Sequence, residues 1–140
     1  MRVVDQQAGS YAEFEAFVAG AAGRLLHVAL LLTGEPESAR RLLAGALART
    51  YANWRHLRGD DPYDFTRREL CTAFARTAWR HHGGAGVLAR LSPPERLVLV
   101  LRLYEGVAEE VAAAQLGMPV DRVRVLCNRA VAALRNREAA

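Results

Sequence analysis

The sequence predicts an all-α protein, on three observations. Alanine and leucine are abundant in a composition that is 51% hydrophobic but only 7% aromatic, and both residues favour helices. Apolar residues recur at intervals of three and four along most of the 140 residues, which is the period of an amphipathic helix. Serine, aspartate and proline stand where these segments begin, and glycine stands where they end, as in capped helices. We therefore expect two small helical modules of three helices each.

The stretch from Ser92 to Arg135 is predicted to form the three helices of the second module. Ser92 and Glu95 form a capping box at the start of its first helix, and that helix should end near Gly106. A short second helix should end at Gly117, because glycine accepts the left-handed backbone of a helix C-cap. A short helix, a tight turn and a longer helix together predict a helix-turn-helix.

The last helix, from about Pro119 to Arg135, has an apolar face and a cationic face. The apolar face should pack inward and carries Val123, Cys127, Ala130 and Leu134. The other face carries side chains that can reach phosphates or base edges in a DNA major groove, namely Arg122, Arg124, Asn128 and Arg129. A plain three-helix bundle with solvated arginines is the alternative that this spacing leaves open.

The first module should begin at a capping box formed by Ser10 and Glu13, after a frayed start. One long amphipathic helix then runs to Gly34, a second begins at Pro36, and a third spans about residues 62–80. The glycine-rich segment that follows, from His81 to Gly86, marks a boundary. We assign residues 10–82 to the first module, 83–90 to a short linker and 91–137 to the second module. Because the linker is short, a single core shared by both modules remains possible.

The charge of the chain permits a nucleic-acid partner without requiring one. The formal net charge is +4, and all 19 basic residues are arginines. Guanidinium groups suit phosphates and guanine edges better than ammonium groups do. A mildly basic protein of this kind can therefore bind DNA.

No catalytic motif was found in the sequence, so we expect neither an enzyme nor a cofactor. His81 and His82 are adjacent but have no second pair at ligand spacing, so no metal site is predicted. Cys71 and Cys127 fall in predicted helices and should be reduced thiols. No signal peptide is recognised, and the apolar run from Val28 to Leu32 is too short to span a bilayer. These features predict a cytoplasmic protein that does not enter a membrane.

The chain resembles the extracytoplasmic-function (ECF) sigma factors of actinobacteria, in particular their sigma-E-like branch, over nearly its whole length from Tyr11. The most specific part of the resemblance follows Ser92. The segments that carry it are 29–34 (ALLLTG), 51–54 (YANW), 63–68 (YDFTRR), 91–102 (LSPPERLVLVLR), 116–119 (LGMP), 129–130 (RA) and 134–135 (LR).

The resemblance implies a dissociable subunit that directs RNA polymerase to promoters. The first module would dock on the polymerase and melt the downstream promoter element, and the second would read the upstream element. The residues then expected at the upstream element are Arg122, Arg124, Val125, Asn128 and Arg129. Those expected at the downstream element are Arg67, Arg68, Trp79 and Arg80, where an exposed tryptophan could stack on an unpaired base. Core packing of Trp79 is the alternative.

Two departures from the family pattern bear on function. Relatives carry two acidic residues after the position of Ala39, whereas this chain carries Arg40 and Arg41, followed by Leu43 and Ala44. These four residues are the expected polymerase or partner contact, and the reversed charge predicts weaker polymerase binding.

In the recognition helix, Val125 and Leu126 stand where relatives place a small polar residue and an arginine. Apolar side chains cannot bind phosphate. A degenerate sigma-like regulator is therefore the alternative to a working sigma factor. It would act by binding another protein, such as a sigma or anti-sigma partner, through Val125, Leu126 and nearby apolar surface.

Overall fold

The computed structural model describes residues 2–57, 59–78 and 86–139, with side chains described for residues 9–57, 59–78 and 86–136. These ranges contain six α-helices and no strand. Three helices precede residues 79–85 and three follow them. The prediction of an all-α chain with three helices on each side of the glycine-rich segment is therefore confirmed.

The N-terminal half contains α1 (Arg2–Thr33), α2 (Pro36–Ala52) and α3 (Pro62–Arg76), with a 3-10 turn at Trp54–His56. The predicted helix start at Ser10 is wrong, since α1 already runs through that residue. No proline interrupts the preceding residues, so the local capping preference of serine does not stop the helix. The third helix ends at Arg76, four residues earlier than predicted.

The C-terminal half contains α4 (Pro93–Leu99), which continues as a π-helical turn (Val100–Tyr104), followed by α5 (Glu109–Leu116) and α6 (Val120–Ala139). The predicted capping box at the start of α4 is present, because Ser92 and Glu95 bond reciprocally. Gly106 and Gly117 have φ angles of +69° and +66°. Both glycines therefore adopt the left-handed conformation that their predicted helix-ending positions require.

The buried residues of both halves form one continuous apolar core. The inner face predicted for α1 begins at Tyr11 and includes Leu25, Val28 and Leu32. The last three are fully buried, whereas Tyr11 is 51% exposed, so the prediction is confirmed only toward the end of the helix. Val98 and Leu101 of the C-terminal half belong to the same cluster. The two halves thus share a core, which is the possibility that the short linker leaves open. A fragment of residues 91–140 is expected from the sequence to be helical alone, and this stays a prediction.

The apolar part of α1 is longer than the five-residue run considered from the sequence. The segment Gly9–Thr33 has 25 residues and contains an 18-residue stretch with a mean hydropathy of 1.7, enough by length and composition alone to cross a membrane. In this structure its buried face packs in the core formed with the other helices. A helix in the core of a soluble protein can have the same length and hydropathy, so the segment gives only weak evidence for a membrane span.

Candidate nucleic-acid interface

The outer face of α6 is the candidate DNA-reading surface. Residues Val123 and Ala130 hold the helix against the core and are fully buried. The turn before the helix is fixed by Gly117 and by a hydrogen bond that the Met118 amide donates to the Ala113 carbonyl (3.1 Å). The four polar side chains predicted for DNA contact are all exposed: Arg122, Arg124, Asn128 and Arg129.

One of these arginines already has protein partners. Arg124 donates from Nε and Nη2 to the two carboxylate oxygens of Glu109, at 3.2 and 3.0 Å, and lies 3.8 Å from Asp121. This bidentate pair raises the pKa of Arg124 and lowers that of Glu109. By contrast, the side chains of Arg122 and Arg129 have no hydrogen bond or ion pair within the described residues. A DNA phosphate must therefore compete with Glu109 for Arg124 but not for the other two.

The sequence-based placement of Leu126 on the outer surface is wrong. Its side chain is only 3% exposed and belongs to the core, whereas Val125 is 43% exposed. The predicted inner face of α6 contains Val123, Cys127 and Ala130. Position 126 borders this face, so the Leu126 side chain also reaches the core. Of the two apolar departures from the family pattern, only Val125 is available to DNA or to a protein partner.

Of the residues expected at the downstream promoter element, the structure describes Arg67 and Arg68, and these two differ in exposure. Arg68 is exposed on α3. Arg67, which was expected to be exposed, is instead only 6% exposed. Trp79 and Arg80 lie outside the described residues, as do His81 and His82. The structure therefore makes Arg68 available to DNA and holds Arg67 in the interior.

Arg67 is held by a group of side chains around Glu105. The sequence predicts no function for Glu105, which only precedes the helix-ending Gly106. The Glu105 side chain is 1% exposed. Its Oε1 accepts from the Tyr63 hydroxyl at 2.7 Å and from Nη1 of Arg67 at 3.2 Å, and its Oε2 accepts from Nε of Arg24 at 2.9 Å. Nη2 of Arg67 also donates to Asp64 at 2.8 Å. We call Glu105, Arg24, Tyr63 and Arg67 the Glu105 cluster.

The cluster is buried at Glu105 and Arg67, whereas the Arg24 side chain is 53% exposed. Burial and the hydrogen bond to Glu105 raise the pKa of Tyr63, so its hydroxyl stays a donor. The Arg24 guanidinium also lies 5.0 Å from the ring centroid of Tyr104, a residue outside the cluster, and His27 stacks on the same ring. No sequence motif marks these contacts, because Glu105 is 38 or more residues from each of its partners.

The predicted polymerase contact lies on α2. Arg40, Arg41 and Ala44 are exposed, and Arg40 forms an ion pair with Glu37 one turn earlier. Leu43 was expected in this contact but is buried against the core. Its side chain faces inward because the core stripe of α2 runs through Ala39, Leu43 and Ala46. Two cations therefore dominate the exposed side of this contact.

Comparisons with known proteins agree with the helix-turn-helix geometry. Residues 87–136 match the family described as Sigma-70, region 4. The chain is 32% identical to the RNA polymerase sigma-E factor of Streptomyces coelicolor and 31% identical to that of Streptomyces avermitilis. Each alignment covers 91% of this chain and 86% of the relative.

The two alignments are longer than this chain. Each extends over 155 positions, more than the 140 residues of this chain, so the relatives contain residues inside the aligned region that this chain lacks. The match nevertheless begins in the N-terminal half and reaches the recognition helix, since it covers nine-tenths of the chain. The chain belongs to the ECF sigma factors, in their actinobacterial sigma-E-like branch.

Proposed function

We propose that this protein is an initiation subunit that directs RNA polymerase to promoters and reads the upstream promoter element with α6. The observation that carries the proposal is the exposed set of three arginines and Asn128 on the helix that follows the Gly117 turn. This helix lies within the region matched by Sigma-70, region 4. Asn128 can pair with an adenine edge, and the arginines can reach phosphates or guanine edges.

Isolated DNA binding should be weak. Three cationic contacts give a slope of only about −2 to −3 for log affinity against log salt. Pairing of Arg124 with Glu109 reduces the contribution of one of them. Recognition of a promoter then depends on a partner that tethers the protein beside the DNA.

We further propose that binding to the polymerase core is weaker than in relatives. Arg40 and Arg41 are exposed where the family pattern has acidic residues, and like charges across an interface cost several kcal/mol. The variant that restores the pattern is Arg40→Glu with Arg41→Asp. A matched control is Arg55→Glu with Arg90→Glu, because both controls are exposed and the net charge changes equally.

Co-purification with actinobacterial core RNA polymerase tests this proposal. Wild type should be retained on the polymerase, the Arg40/Arg41 variant should be retained more strongly, and the control variant should match wild type. Absence of retention for all three proteins would overturn the assignment as a polymerase subunit. Stronger retention of wild type than of the Arg40/Arg41 variant would mean that the two arginines do not repel the polymerase, and that α2 contacts it differently than in relatives.

The second candidate is a sigma-like regulator that acts by binding another protein, such as a sigma or anti-sigma partner. Val125 on α6 and Val111 on α5 support it, because both are large apolar side chains exposed on the helix-turn-helix. Leu126 no longer supports it, since that side chain is buried. Under either candidate we expect the protein to act in the cytoplasm, without a cofactor.

A further inference from the structure

An apolar cavity of about 420 Å³ lies where α1, the π-helical turn after α4 and the end of α6 meet. Apart from Tyr104 and Arg135, the described residues that line it are all leucine or valine, and none of them is a predicted DNA contact. We propose that this cavity binds a free medium-chain fatty acid, with the hydrocarbon chain inside and the carboxylate on Arg135. The inference goes beyond the proposed function, which requires no small-molecule ligand.

The size and the lining of the cavity fit a single aliphatic chain. Small-ligand sites span about 300–1,000 Å³ and are mostly apolar, with a few polar groups that orient the ligand. Water finds no hydrogen-bond partner on walls of leucine and valine, so an apolar chain can displace it readily. Leu103 and Tyr104 are exposed, so the cavity opens to solvent and a ligand can enter the folded protein. A volume near the lower end of the range favours one chain of medium length over a whole two-chain lipid.

The π-helical turn forms one wall of the cavity. The Glu105 amide donates to the Val100 carbonyl at 2.9 Å, five residues earlier, and Val100, Leu103 and Tyr104 of this turn all line the cavity. Turns of this kind are rare and occur frequently at functional sites. Val100 is buried, whereas Leu103 projects to solvent at the mouth. A bound hydrocarbon chain would cover apolar surface that the core leaves exposed, which favours binding.

Arg135 gives the cavity a preference for an anion. It is the one charged side chain among the described lining residues, so no described carboxylate at the cavity repels an anionic head group. Its guanidinium group has no hydrogen bond or ion pair within the described part of the chain. A guanidinium group can donate two parallel hydrogen bonds to a carboxylate. Because an exposed ion pair contributes little by itself, the chain supplies most of the affinity and Arg135 selects the head group.

Isothermal titration calorimetry of the full chain with decanoate, below its micellar concentration, tests the proposal. Octanoate should bind about tenfold more weakly, because it lacks two methylene groups. Decanol should bind about two- to fivefold more weakly than decanoate, because it cannot pair with Arg135.

Two arginine variants separate the head group from the chain. Arg135→Gln should weaken decanoate binding about two- to fivefold and leave decanol binding unchanged. Arg55→Gln is the matched control, because Arg55 is exposed at the 3-10 turn after α2 and the net charge changes equally. The control should bind both ligands like wild type. Equal weakening of decanoate and decanol by Arg135→Gln would overturn the role of Arg135.

A variant that fills the cavity tests the location of the ligand. Val131→Phe adds a ring at a half-buried lining position and should weaken binding of decanoate and decanol at least about tenfold. If it loses its helical circular dichroism, Leu103→Glu takes its place, since Leu103 is exposed and a carboxylate there should weaken decanoate more than decanol. Decanoate binding that is unchanged in the folded variant would overturn the proposal.

Other occupants of the cavity are distinguished in the same set of proteins. Binding to phosphatidylglycerol vesicles without binding to free decanoate would assign this surface to a membrane. Dimerisation in analytical ultracentrifugation that Leu103→Glu abolishes, again without decanoate binding, would assign it to a second copy of the chain. Either result would overturn the fatty-acid site. Neither depends on polymerase binding, so failure of the proposed function leaves this test unaffected.

Discussion

The buried guanidinium group of Arg96, in α4, donates a hydrogen bond to the main-chain oxygen of Leu32 in the last turn of α1, at 3.0 Å. The same group donates to the carbonyls of Leu91 and Ala89, at 3.0 and 3.2 Å. The last carbonyls of a helix lack partners within the helix and carry a partial negative charge. Arg96 therefore satisfies the end of α1 from the other half of the protein, and burial lowers its pKa.

Arg96→Met should lower the free energy of unfolding by about 3 kcal/mol, because it leaves buried carbonyls without a donor while keeping an apolar stem. Arg96 is only 2% exposed, so water cannot replace the lost donor. Urea denaturation followed by circular dichroism measures the change. Arg90→Met is the control: Arg90 is exposed, and we expect a change of less than about 0.5 kcal/mol there. Equal effects in the two variants would show that Arg96 does not hold α1 in solution.

Adjacent substitutions on α6 should have opposite effects. Val125→Arg adds a cation at an exposed position, so DNA affinity should rise and the salt slope should steepen by about 0.9. Leu126→Arg should instead destabilise the protein by about 3 kcal/mol or more, because it buries an unpaired charge. DNA titrations at several salt concentrations and urea denaturation measure the two effects. A stable Leu126→Arg protein with higher DNA affinity would mean that α6 is rotated relative to this structure.

The sequence predicted local features well because their causes are local. Asp61, for example, is predicted to cap α3, and its carboxylate accepts from the Tyr63 amide at 3.0 Å. The Ser92 capping box and the glycine helix ends depend likewise on residues within a few positions of one another. The helix-turn-helix and most of the exposed cations of α6 follow from these signals and from the apolar period.

Features that depend on tertiary contacts could not be predicted in this way. Arg67 and Arg68 are adjacent in sequence, but Arg67 is buried and Arg68 is exposed. The difference follows from the position of Glu105, which accepts a hydrogen bond from Arg67. Leu126 was misplaced because a stripe spaced at three and four fits more than one rotation of a helix. The polar groups that join the halves are 38 to 81 residues apart in sequence, so no motif relates them.

Glu109→Gln should strengthen DNA binding by α6. The substitution removes the carboxylate that occupies Arg124 and leaves the guanidinium group available to a phosphate. Glu110→Gln is the matched control, because Glu110 is exposed on the same helix and changes the net charge equally. Fluorescence anisotropy with duplex DNA at several salt concentrations should give a steeper slope for Glu109→Gln than for the control. Identical slopes would indicate that Arg124 does not contact phosphate.

The thiol of Cys71 should make the protein less stable at alkaline pH. Burial raises its pKa from about 9 to about 12, so the folded protein keeps a proton that the unfolded chain releases. The free energy of unfolding should then fall as pH rises above about 9, by up to about 1.4 kcal/mol per pH unit, and the loss should level off only near the folded pKa.

Tyrosines also titrate in this range, so the contribution of Cys71 is isolated by comparison with Cys71→Ala. Urea denaturation of both proteins at pH 8 and pH 10 should show the larger decrease in wild type. Equal decreases would mean that the thiol reaches solvent in the folded protein.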